Sequence, residues 1–121
     1  MTLEGATPFL AGAQHLVRLA IVLVKHGFRV REVYLADRFL TPFEDGEHDH
    51  LKTQLRAAIK DGDLGVAMHL VRTADVVIDS IRLDRKGEPG SVRIRQAGVI
   101  QADDGPTAEL NLSIQEAFGA R

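Results

Sequence analysis

The sequence predicts an α+β domain with two layers. A long N-terminal helix and a helical hairpin cover one face of an antiparallel sheet of three or four strands. Three observations carry that expectation. Residues Phe9 to Val24 are nearly all apolar, broken by Gly12, Gln14, His15 and Arg18. Two blocks between Leu51 and Ala74 repeat apolar residues at helical spacing around an Asp61-Gly62-Asp63 turn. From Val76 onward the apolar period falls to two, the period of a half-buried strand. Helices gathered ahead of strands, rather than alternating with them, point to α+β.

The first helix opens at Thr7-Pro8, with Thr7 as N-cap and Pro8 at the first helical position. Phe9, Ala13, Leu16, Ala20 and Leu23 form one apolar stripe, and Leu10, Val17, Ile21 and Val24 an adjoining one. Gln14, Arg18 and Lys25 mark the narrow wet side, and Gly27 suits the C′ position. A helix so apolar must be wrapped by other structure or by a second subunit. Its excess apolar surface leads to the expectation of a homodimer.

Phe28 to Leu35 reads as a strand, because Phe28-Arg29-Val30-Arg31 alternates and Val33-Tyr34 favour extended backbone. Thr41-Pro42 ends that segment, and Phe43 to Asp49 is an acidic loop. Leu51, Leu55, Ala58 and Ile59 then form the face of an amphipathic helix. Acidic residues near its start and Lys60 near its end suit the helix dipole. Asp63 caps the next helix, whose stripe is Leu64, Ala67, Met68 and Val71.

Three late strands follow, with turns at residues 85–90 and 102–106. The first turn sets Leu83 opposite Val92 and Ile81 opposite Ile94. The second sets Ile94 opposite Ile114 and Ile100 opposite Ala108. Both registers gather apolar side chains on one face, as a half-buried sheet requires. The other face carries Ser80, Arg82, Arg93, Arg95, Ser113 and Gln115, with Glu109 and Asp84 toward its margins. In this register Arg82 stands opposite Arg93, a like-charged pair that is destabilising unless something negative bridges it.

Composition bounds the function. The 121 residues make one domain, residues 1–121, with 45% hydrophobic and 26% charged residues. The formal charge of −2 gives no general attraction to nucleic acid or anionic membrane, so basic surface is local. With no cysteine, thiolate chemistry and cysteine-ligated metals are excluded. The apolar run is shorter than the roughly 20 residues of a span, carries Arg18 near its middle, and follows no basic n-region. Cytoplasmic location without membrane contact is the expectation. No glycine-rich phosphate loop and no nucleophile-base arrangement is present, and no cofactor is implied.

The leading functional reading is a non-enzymatic binding or regulatory protein. It engages an acidic protein or nucleic acid through Arg82, Arg93 and Arg95 by charge-assisted hydrogen bonds. The face lacks aromatics, which argues against base stacking. Two alternatives stand beside it. Residues 19–40 resemble a helix-turn-helix, with Gly27 in the turn, Val22, Phe28, Val33 and Ala36 packed, and Arg29, Arg31 and Arg38 toward DNA. Leu23 departs from that motif, where a small residue is usual, and Glu32 and Asp37 would repel phosphate. The loop of residues 44–50, with Glu44, Asp45, Glu47, His48, Asp49 and His50, offers carboxylate and imidazole ligands for a metal-dependent enzyme, with His26 or His69 as further ligands.

Overall fold

The computed structural model describes residues 13–87, 90–95 and 100–103. The helix start at Thr7-Pro8 and the strand expected over Thr107–Ile114 lie outside the described residues, with Glu109, Ser113 and Gln115. The elements are α1 (Ala13–Lys25), β1 (Phe28–Ala36), α2 (Asp49–Lys60), α3 (Leu64–Ala74), β2 (Val77–Arg85), β3 (Ser91–Arg95) and β4 (Ile100–Asp103). The strands form one antiparallel sheet in the order β1-β2-β3-β4, so the fold is α+β.

Local chemistry accounts for the element boundaries. Gly27, at φ +95°, ends α1, its N–H donating to the Val24 carbonyl at 3.0 Å. Few side chains adopt that backbone region, which is why glycine stands there. Gly62 turns α2 into α3 at φ +74°. Asp63 then caps α3 by accepting from the Val66 N–H at 3.1 Å. Asp75 closes α3 in the left-handed region, at φ 58° and ψ 44°.

The core is one cluster shared by helices and sheet. From α1 it takes Leu16, Val17, Leu19, Ala20, Val22 and Leu23; from the hairpin Leu51, Leu55, Ala58, Ile59, Ala67 and Val71. Gln14, Arg18 and Lys25 stay exposed on the narrow polar side of the helix. Burying each large side chain stabilises by about 1.5–3 kcal/mol. These α1 residues are buried within this one chain. Within the described residues the apolar side of α1 packs against β1, β2, β3 and the hairpin; Phe9 and Leu10 of the expected stripe lie outside the described residues.

The β2–β3 register is the expected one: Leu83 pairs with Val92, Ile81 with Ile94 and Arg82 with Arg93. The next register differs. Ile94 pairs with Ile100, not Ile114, because the chain reverses between Arg95 and Ile100 and Ile100–Asp103 becomes a separate strand. Ala108, expected opposite Ile100, lies outside the described residues.

β1 is the fourth strand, paired with β2 from Phe28–Arg85 to Ala36–Val77. Two bulges interrupt that ladder. Between Val30 and Glu32 the extra residue is Arg31 on β1; between Tyr34 and Leu35 it is Asp79 on β2. Each bulge resets the alternation. Val30, Val33 and Leu35 thereby reach the core although their spacing is irregular, and Ile78 is buried beside Leu35.

Candidate functional site

Strand alternation brings Tyr34 of β1, Ser80 and Arg82 of β2, and Arg93 and Arg95 of β3 to one sheet face. Tyr34 pairs with Ser80, Ser80 with Arg95, and Arg82 with Arg93. All three arginines are half-buried. The sequence expectation for Arg82 and Arg93 therefore holds as a matter of register, and Arg95 lies one step further along the same face.

Neighbouring side chains hold the two central arginines. Arg82 Nε donates to the Tyr34 hydroxyl at 3.3 Å, and Arg82 Nη1 to Ser91 Oγ at 2.7 Å. Arg93 Nε donates to Ser80 Oγ at 2.9 Å, and its guanidinium carbon lies 4.0 Å from the Tyr34 ring centroid. Ser80, fully buried, donates its own hydroxyl hydrogen bond to Asp79 Oδ2 at 3.1 Å. It thus accepts from one charged group and donates to another, which a hydroxyl does without conflict. Arg93 Nη2 stands 3.6 Å from the same Asp79 oxygen.

At the other end of the face one carboxylate serves two arginines. Asp84 takes Arg29 Nε at 2.8 Å on Oδ1 and Arg31 Nε at 3.3 Å on Oδ2. The bulge at Arg31 makes this possible by placing both cations on one side of β1. The hydrogen bond from Arg29 to Asp84, and the charge of Asp84, raise the Arg29 pKa. The face therefore carries Arg29, Arg31, Arg82, Arg93 and Arg95 against Glu32, the strand partner of Arg82, and Asp79 and Asp84, and remains basic within an acidic chain.

Three members of this network escape a reading of the sequence. Tyr34 corrects the expectation of a face without aromatics, since β1 adds it beside the late strands. Its alternation with Val33 and Leu35 was the available signal. Asp79 is placed against Arg93 by a bulge that no spacing rule anticipates. Asp84, expected at the margin, is committed to Arg29 and Arg31.

The helix-turn-helix alternative is corrected by the same strand. Residues Phe28–Ala36 are β1, not a reader helix, because bulged alternation and pairing with β2 bury Phe28, Val33 and Leu35. Arg29 and Arg31 are held by Asp84, and Arg38 lies in the turn beyond the strand.

In the acidic loop, Glu47 folds back so that its carboxylate accepts the Glu44 N–H at 2.8 Å, and the His48 ring meets Phe43 edge-on at 4.5 Å. Asp49 opens α2. Among the described residues no three histidine, aspartate or glutamate side chains gather to hold a metal ion. His69 is instead engaged by Thr73 on the same helix. No described helix is long and apolar enough to cross a membrane.

A second surface feature sits where β1 ends. Asp37 Oδ1 accepts the N–H groups of both Phe39 and Thr41 at 2.9 Å, and the Leu40 N–H donates to the Asp37 carbonyl at 2.8 Å. An aspartate bonding the backbone ahead of it preorganises a tight turn. Phe39 is 80% exposed and Leu40 64% exposed. Leu40 is also held at φ 67°, a left-handed conformation that disfavours a branched side chain by about 1–2 kcal/mol. Arg38 stands 3.6 Å from Asp75 and 5.9 Å from the Phe39 ring centroid.

Compared with protein-family models, with curated proteins and with solved structures, the chain matches none.

Proposed function

We propose that this chain is a non-enzymatic binding or regulatory protein that engages an acidic macromolecule through Arg82, Arg93 and Arg95. The observation that carries the reading is the Arg82–Arg93 cross-strand pair, oriented by Tyr34, Ser80 and Ser91. Neighbouring like charges are destabilising on a sheet unless negative charge relieves them; Asp79 beside Arg93 and Glu32 opposite Arg82 supply part of that relief, and the arginines of the face still outnumber its acids. Side chains held in place by hydrogen bonds and stacking lose less entropy when a ligand arrives.

Among acidic partners, protein is favoured over nucleic acid. Asp79 and Asp84 lie among the arginines, so the face is a patch and not a continuous basic track along which a phosphate backbone runs. Tyr34 has one ring face occupied by Arg93, which leaves at most one face for a base. The cytoplasm is the compartment this reading assigns. The homodimer expected through the N-terminal helix is not needed by this reading.

The test is titration with poly-L-glutamate, and in parallel with a single-stranded thymidine oligonucleotide, at low and at physiological salt. Wild type is expected to bind polyglutamate the more tightly. R82Q/R93Q/R95Q is expected to lose at least tenfold in affinity, with circular dichroism confirming an intact fold. Equal binding by the triple variant rejects the face, and preference for the oligonucleotide rejects the assignment to protein.

A further inference from the structure

We infer that the Phe39–Leu40 turn is an apolar anchor that seats in a pocket of the same acidic protein partner, an inference that rests on the arginine face as proposed. Large exposed hydrophobics among the described residues are Phe39, Leu40 and Val66, and two of them are adjacent in one turn. Single exposed apolar residues are ordinary; a contiguous pair on a preorganised turn is not. The Asp37 carboxylate fixes the loop through two backbone N–H groups, and Leu40 is held in a conformation that its side chain disfavours. Backbone strain kept at an exposed position points to use of that position.

The sheet register places the turn next to the arginines. Ala36, the last residue of β1, pairs with Val77, while Arg95 pairs with Ser80 three residues along the same strand. At about 3.3 Å per residue, the turn leaves the sheet on the order of 10 Å from the row of Arg95. One partner footprint spans both. Large aromatic and aliphatic side chains inserted into a pocket supply much of an interface's affinity, and surrounding charges supply register and on-rate.

The chemistry selects the occupant. Leu40 contributes nothing to stacking on nucleobases. A flat bilayer would take in the exposed Asp75 carboxylate beside Arg38 together with the turn. A protein pocket instead stops at Phe39 and Leu40 and sets its acidic rim on Arg95, because Arg38 already faces Asp75. The partner is thus a folded protein with an apolar pocket edged by carboxylates.

The experiment uses the full chain carrying p-benzoylphenylalanine in place of Phe39, irradiated in its native host, with the same photoprobe in place of exposed Lys60 as control. A protein cross-linked from position 39 alone is identified, made recombinantly, and titrated with three forms of the unlabelled chain. F39S/L40S is expected to bind at least tenfold more weakly than wild type at unchanged thermal midpoint, and R82Q/R93Q/R95Q is expected to weaken as well. Absence of a position-specific protein adduct, an adduct to lipid or nucleic acid, or wild-type affinity in F39S/L40S overturns the anchor. If F39S/L40S loses affinity and the arginine variant does not, the arginine face fails and the shared footprint with it. If only the arginine variant weakens, the anchor fails and the face stands.

Discussion

Arg93 lies over the ring of Tyr34, its guanidinium carbon 4.0 Å from the centroid, while the Tyr34 hydroxyl accepts from Arg82. One tyrosine therefore holds both arginines of the cross-strand pair, one by its π face and one by its oxygen. The two roles separate by substitution. Y34F keeps the ring and removes the acceptor, and is expected to lower stability by about 1 kcal/mol. Y34A also removes the stacking and the packing, and is expected to lose roughly a further 1–2 kcal/mol. Urea denaturation of both variants reads the difference. Equal losses in the two would show that the ring contributes nothing to holding Arg93.

The turn beyond β1 depends on Asp37, which accepts two N–H groups within five residues. D37A leaves both donors to water and is expected to destabilise by about 1 kcal/mol. Its larger effect is on order. Amide exchange at Phe39, Leu40 and Thr41 is expected to accelerate while exchange in β2 and β3 stays near wild type. Uniform acceleration across the sheet would mean that Asp37 supports the whole fold and not the turn.

Asp75 is 80% exposed at its side chain and adopts φ 58°, so it carries left-handed backbone strain without burial to offset it. Glycine meets that conformation without a Cβ penalty. The Arg38–Asp75 pair that D75G would remove is exposed on both sides and worth little. D75G is therefore expected to raise stability by about 0.5–1 kcal/mol, seen as a higher urea midpoint at unchanged slope. A lower midpoint would assign a structural role to the Arg38 contact.

Where apolar periodicity is regular, the fold was legible. Leu51, Leu55, Ala58 and Ile59 are buried as their spacing demands, and Asp63 caps α3. The β2–β3 register followed from a single turn, Lys86 to Gly90, flanked by clean alternation. Legibility ended where a local break offset the period. The bulge at Asp79 moves a carboxylate onto Arg93, yet Val77-Ile78-Asp79-Ser80-Ile81 shows no alternation that marks the extra residue. β3 stops at Arg95, although Val92 to Ile100 reads as one strand, because pairing partners and not local pattern decide where a strand ends. The arginine pair was legible because register alone sets it. Tyr34 and Asp79, which orient it, depend on β1 and on the bulge, and both are long-range features.

Asp84 limits the basic field of the face by engaging Arg29 and Arg31 together. D84N removes one negative charge, releases both guanidinium groups from their shared carboxylate, and leaves Arg82, Arg93 and Arg95 in place. If the face attracts an acidic partner by its field, D84N is expected to bind polyglutamate about threefold more tightly than wild type at low salt. The gain is expected to shrink toward none as the Debye length falls from about 30 Å at 0.01 M to about 8 Å at 0.15 M salt. Such a variant increases affinity while weakening the structure around β1, so a lower urea midpoint accompanies tighter binding. Loss of stability and loss of affinity together would show that Asp84 organises the site, and would place the attraction in the geometry of the arginines and not in their charge.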